Sequence, residues 1–180
     1  MIEANIPSKA IVAFRNITIV LGIVVAVYII VLAPVVRSAK DSAQSHVCQA
    51  NLKKLSSALV MYTQDWDGHY PPASKWMDCI DNDEYLGQDR ATVFHCPAAV
   101  SQYGYAMNAQ VSGKSDQSID IANTVLLFET DSPTRNASGT QNSLALPRHH
   151  MLNCAFCGGS TAWVNPYTES RWKWTVTKPQ

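Results

Sequence analysis

Charge is scarce in this chain. Lys, Arg, Asp and Glu together make up 16% of its 180 residues, against about a quarter in an ordinary soluble domain. The fourteen basic side chains are balanced by fourteen acidic ones. Without a basic excess, or Lys/Arg clusters interleaved with aromatic rings, the chain offers no electrostatic footprint for nucleic acid. Enzyme signatures are missing too. There is no Gly-x-Ser-x-Gly elbow, no His-Glu-x-x-His and no glycine loop of the kind that cradles phosphate, which points to a non-catalytic protein. No internal repeat is present.

The charge deficit is concentrated near the start. From Asn16 to Val36 there is no Asp, Glu, Lys, Arg or His, and Ile, Val, Leu and Ala dominate. At about 1.5 Å per residue a helix of this length matches a bilayer core of roughly 30 Å. A domain this small has no interior that would hide such a helix on every side. A cleaved signal peptide would have an apolar region of about 7–15 residues and a small-x-small site; this run is longer, and Pro34, Val35 and Val36 make a poor one. The segment therefore reads as a retained, single-pass membrane helix. Lys9 and Arg15 precede it and Arg37 and Lys40 follow it, so flanking charge does not set its orientation. Pro34 removes an i−4 hydrogen bond near its outer end.

Between Arg37 and Gln64 there is neither Pro nor Gly. Cys48, Leu52, Leu55, Leu59 and Tyr62 recur at spacings of four and three, one apolar stripe on an amphipathic helix. The helix should stop by Asp67-Gly68, with Pro71-Pro72 as a hard break. Beyond Trp76 the pattern turns to short β-prone runs: 103–108, 124–129, 153–157 and 161–164, with 171–176 as a further candidate. Cys157-Gly158-Gly159-Ser160 fits a tight hairpin turn. Residues 114–120 and 132–143 read as loops. The resulting expectation is an α+β architecture in which a long N-terminal helix packs on a small antiparallel sheet. Residues 1–13 form a short leader or cytoplasmic tail, residues 14–64 the membrane helix and its stalk, and residues 65–180 a β-rich domain.

These blocks resemble the type IV pilin and type II secretion pseudopilin superfamily. They are most similar to bacterial pseudopilin-like proteins that end in a His-x9-Asp-Gly signature. The resemblance is carried, in order, by the apolar run through Pro34 and by the segment Cys48 to Pro72. Phe94-His95-Cys96-Pro97, 103–108 and 124–129 continue it, and Arg148-His149, 153–156 and Trp163-Val164 complete it. It implies a membrane-anchored structural subunit of a secretion or pilus-type filament, or of a cell-surface assembly, in a bacterial cell membrane. The globular domain would lie outside the cytoplasm, with lipid and other pilin-like subunits as partners. The assembly surface would be the helix that includes Phe14, Ile17, Val24, Val31 and Pro34. Two departures stand out. With Pro34 placed on the family's helix proline, Val12, Ala13 and Ile17 occupy the positions of the family's Gly, Phe and Glu, the prepilin peptidase site and register charge. Gly158 and Ser160 stand where an Asp and a second His are usual.

Five cysteines, at 48, 79, 96, 154 and 157, suit a small exported core with two disulfides and one free thiol. Cys79 with Cys96 is the preferred pair, since they flank one excursion without predicted regular structure; Cys48, on the stripe, is a further candidate. The alternative is a stand-alone surface module that binds a metal or ligand through His149, His150, Cys154 and Cys157, with His95 as a further donor. It is the weaker reading, because residues three apart on a strand face opposite ways. The carboxylates Asp65, Asp67, Asp78, Asp81, Asp83 and Glu84 have the chemistry to hold calcium, but read better as a solvated acidic stretch. No cofactor is expected, zinc and calcium being the two weak candidates. Asn136-Ala-Ser is a formal glycosylation sequon.

Overall fold

The computed structural model describes residues 8–99, 101–145, 151–165 and 172–176. It divides into two compact units, residues 1–40 and 41–180, each considered by itself.

In the first unit α1 (Ser8–Val27) runs into one π-helical turn (Tyr28–Leu32), after which α2 (Ala33–Asp65) begins. The π turn lies just ahead of Pro34, whose nitrogen has no hydrogen to give to the carbonyl of Ile30 and whose ring crowds it. Widening the preceding turn, so that the Ala33 N–H reaches Tyr28 O, relieves that crowding. From Val12 to Leu32 every side chain is exposed, including Phe14, Ile17, Val24 and Val31. This is the one helix, among the described residues, that is long and apolar enough to cross a membrane.

The second unit carries the remainder of α2. Here the stripe is realised as the spacing implied: Cys48, Leu52, Leu55 and Leu59 are fully buried and Tyr62 nearly so. The helix ends where Asp67 and Gly68 adopt positive φ and the Gly68 N–H reaches back to Thr63 O at 2.7 Å, the six-to-one closure that satisfies a helix's last carbonyls.

A five-stranded sheet packs on the stripe. Its strands are β1 (Tyr105–Asn108), β2 (Val125–Glu129), β3 (Ser138–Gly139), β4 (Leu152–Phe156) and β5 (Thr161–Val164), in the spatial order β3-β1-β2-β4-β5. Three pairings are antiparallel, and β3 joins β1 in parallel. The sheet is thus mixed, and the wholly antiparallel expectation is corrected at one edge: β3 arises within 132–143, where an exposed serine and a half-buried glycine give no strand periodicity. The β4–β5 hairpin turns at Cys157–Ser160 as its glycines implied, with the Phe156 N–H bonded to Ser160 O and Gly159 at φ +77°.

The central strands are buried on both faces. Tyr105, Met107, Leu126, Leu127, Ala155 and Cys157 join the helix stripe in one core layer. Ala106, Val125, Phe128, Cys154, Phe156 and Val164 form a second layer on the far face. A bulge between Val125 and Leu127 turns two successive residues, Leu126 and Leu127, to the helix side. The far face is covered by Trp172 against Phe156 and Trp174 against Phe128, at ring separations of 4.5 and 5.4 Å. Residues 172–176 are therefore a strap, tied by an isolated bridge between Thr124 and Lys173, by Asn108 Nδ2 on Trp174 O and by the Lys173–Asp120 ion pair, and not the extra strand expected there. Aromatic alternation in Trp172-Lys-Trp174 imitates a strand because both rings must face one way.

Residues 76–80, which the sequence assigns to no strand or helix, form a short helix, α3 (Trp76–Ile80). Its first N–H groups are capped from far along the chain, by Asn136 Oδ1, which accepts from the N–H of Met77 at 2.7 Å and of Asp78 at 3.3 Å. The same amide donates to Asp78, so Asn136 is a capping residue whose side chain is already committed, not a free glycosylation acceptor.

Because Leu59 has no exposure and lies in the layer shared by helix and sheet, Leu59→Ala should destabilise the outer unit by about 2–5 kcal/mol. Denaturant unfolding of the detergent-solubilised chain, followed by tryptophan emission, would show the midpoint drop; an unchanged midpoint would mean that the sheet does not close on this face.

Candidate functional site

The most unusual chemistry in the molecule is buried where α2 meets the sheet. Ser45 and Cys48 lie one turn apart on the inner face of α2, both buried. The segment 95–97 is laid along the helix by two side-chain bonds, Asn51 Nδ2 to His95 O at 2.9 Å and Gln44 Nε2 to Pro97 O at 3.2 Å. That placement brings Cys96 to Cys48, and the two form a disulfide with Cα atoms 5.2 Å apart. Gly104 makes room for it: a Cβ there would stand 2.6 Å from that of Cys96.

The preferred Cys79–Cys96 pairing is thereby corrected. Cys79 sits on α3, half-buried and free, while Cys154 and Cys157 are free and buried. One disulfide and three thiols replace the expected two and one. The excursion from 79 to 96 is not unstructured; it contains the end of α3 and the 3₁₀ turn Gly87–Ala91. The observed bridge closes a separation of 48 residues, a constraint of about 4 kcal/mol on the unfolded chain in the loop-entropy account.

Against this disulfide lies Glu129, the last residue of β2, with no exposure at all. Its Oε1 is 3.8 Å from Cys96 Sγ. It accepts hydrogen bonds from the backbone N–H of Asn153 to Oε2 and from Asn153 Nδ2 to Oε1, both at 3.1 Å. Asn153 Nδ2 also donates to Ser45 Oγ at 3.3 Å, so the amide ties β4 to β2 and to α2. Its own Oδ1 is buried without a partner. No Lys, Arg or His among the described residues pairs with Glu129. A carboxyl group and an amide oxygen held this way are costly to bury unless something compensates them. Sequence reading had one cue for Glu129, a charged residue closing an apolar strand, and none for Ser45 or Asn153.

The other candidates disperse. Cys154 belongs to the far core layer and Cys157 to the helix-side layer, so the Cys-x-x-Cys spacing places its sulfurs on opposite faces of the sheet. Burial pushes both thiols up, Cys157 to about 12. His149 and His150 lie outside the described residues, and His95 is exposed, with its ring nitrogen facing Gln102 O.

The acidic stretch does not converge on a cation site. Asp78 and Asp81 are ion-paired with Arg135 at 2.6 and 2.8 Å, Asp81 and Asp83 with Arg90 at 3.3 and 3.0 Å. Asp65 accepts from Tyr85 Oη, and Asp67 and Glu84 are exposed. These ion pairs rim an open recess of about 560 Å³ floored by Phe94 and Tyr103, with Arg135 5.7 Å above the Phe94 ring. The guanidiniums there are neutralised by three carboxylates, so the recess is a cross-linked surface network and not an anion trap.

No known protein family, curated protein or solved structure matches this chain.

Hydrogen bonds from Arg135, and then from Asn136, hold the Asp78 carboxyl below its ordinary value. A depressed carboxylate contributes stability above its unfolded value, about 3.9, and loses it as the pH falls through the lower, folded one. Asp78→Asn should therefore weaken the outer unit at neutral pH and flatten the acid limb of its stability curve. Unfolding midpoints measured from neutral pH down to about pH 2 would test this; parallel curves for both proteins would contradict it.

Proposed function

We propose that this protein is a non-catalytic, membrane-anchored structural subunit of pilin or pseudopilin type. It would serve a secretion or pilus-type filament, or a related surface assembly, with its sheet domain outside the cytoplasm. One observation carries the reading: the apolar helix and the stripe that underlies the sheet domain are successive parts of the same N-terminal helical run. Through Leu32 the helix is apolar all round and wholly exposed. In water that surface has no cover, and a helix of this kind is stable only in lipid or among other apolar helices. From Ser45 onward one face is committed to the protein's own core.

The long apolar helix on a small mixed sheet is a pilin-like architecture. Cys48–Cys96 supports a domain matured in an oxidising compartment, and hence an N-terminus on the cytoplasmic side. Assembly through the helix, without the family's Glu at position 17, would depend on packing of Ile17, Val24 and Val31 against neighbouring copies.

Single cysteines introduced as Val24→Cys and Val31→Cys, in a Cys79→Ala background, report on this in native membranes. Oxidation should give a crosslinked dimer for the single variants, and a ladder of species beyond the dimer for the chain that carries both cysteines. A chain that stays monomeric at both positions contradicts assembly, and a chain released by alkaline carbonate washing contradicts the anchor itself.

A further inference from the structure

The buried cluster at the helix–sheet junction has a chemistry that its disulfide form does not use. Cys48 Sγ, Cys96 Sγ and a carboxylate oxygen of Glu129 all lie within 4.8 Å of one another. Asn153, whose Nδ2 donates to Glu129 Oε1 at 3.1 Å, carries in the same amide an oxygen that is buried and unpaired. Two sulfurs, a carboxylate and a neutral oxygen are the donors of a closed four-coordinate site for a thiophilic divalent cation. We propose that, in the reduced protein, Cys48, Cys96 and Glu129 bind a zinc-class divalent ion, with Asn153 Oδ1 as the fourth donor, so that the same two cysteines close the junction either through metal or through a disulfide.

The two forms exclude each other, because a sulfur shared with its partner in a disulfide is no longer a thiolate. Their interconversion balances. A dithiol reductant transfers two electrons and two protons to the Cys48–Cys96 bond, which breaks to two thiols, while the reductant closes to its own cyclic disulfide. Zinc then binds the two sulfurs as thiolates, and their two protons leave to solvent. The ion supplies what the disulfide form lacks, a positive charge beside Glu129 and a partner for the orphan amide oxygen. Both crosslinks hold residues 95–97 against α2, so the stripe remains covered in either state. Since all four side chains have no exposure, metal uptake and oxidation both wait on local opening of the junction. Zinc captures a chain whose thiols are still reduced, and oxidation first locks it out.

The test uses the full chain in detergent, produced where its cysteines stay reduced, with cobalt(II) as the spectroscopic probe. The reduced protein should take up about one cobalt per chain, a closed site with no open position. Binding should bring the near-ultraviolet band of thiolate-to-cobalt charge transfer, and zinc should displace the cobalt. The same protein after oxidation of Cys48–Cys96 should bind less than about a tenth as much. Cys79, Cys154 and Cys157 are free in both samples, so metal held by them or by His149 and His150 would appear in both. Glu129→Gln should keep the thiolate band but weaken binding by about 10–100-fold, and Cys48→Ser should abolish the band. Equal uptake by reduced and oxidised chains, no uptake by the reduced chain, or binding that survives Cys48→Ser would each overturn the proposal. The comparison of oxidised with reduced wild-type protein holds whether or not any variant folds.

Discussion

Leu52, Leu55 and Leu59 on α2 have no exposure at all, and covering them is the constraint to which the rest of the outer domain answers. Only one face of the helix is apolar, so one sheet suffices, and the sheet must be apolar on the side that meets it. The sheet is in turn too small to leave its other face wet: Phe128 and Phe156 point away from the helix and require the Trp172 and Trp174 strap. A helix stripe thus propagates into two core layers, and into the fully buried β1, β2 and β4.

The disulfide reinforces that same contact and does not staple a loop elsewhere. Cys48 lies on the stripe, and Cys96 is brought to it by backbone carbonyls at positions 95 and 97 that receive α2 side chains. Glu129, whose carboxyl lies 3.8 Å from Cys96 Sγ, is held by Asn153, which also reaches Ser45 on the helix. Hydrophobic burial, a covalent link and a buried polar network therefore converge at one junction. Loss of any of them acts on the others, so effects of substitution there should not be additive.

How far the sequence discloses this depends on the range of the interactions. Periodic and local features were legible: the apolar run before Val36, the Cys48-to-Tyr62 stripe, the stop at Asp67-Gly68, the hairpin at Cys157–Ser160 and four of the five strands. Features set by distant partners were not. The helix at Trp76–Ile80 depends on Asn136, nearly sixty residues on, and its own residues carry no N-cap. Cysteine spacing favoured Cys79 as the partner of Cys96, whereas pairing follows from how residues 95–97 dock on α2, which no local pattern encodes. Parity along a strand did foretell that Cys154 and Cys157 would part company across the sheet. Glu129 and Asn153 are ordinary in sequence, and only the fold makes them neighbours of both sulfurs.

The central claim is that the packing of α2 on the outer domain is sealed covalently by Cys48 and Cys96. Peptide mapping without reduction, on alkylated protein taken from its native membrane, tests it most directly. The account predicts one crosslinked species joining the peptides that contain Cys48 and Cys96, with Cys79 alkylated. A Cys79–Cys96 crosslink, or Cys48 linked to any other cysteine, would contradict it.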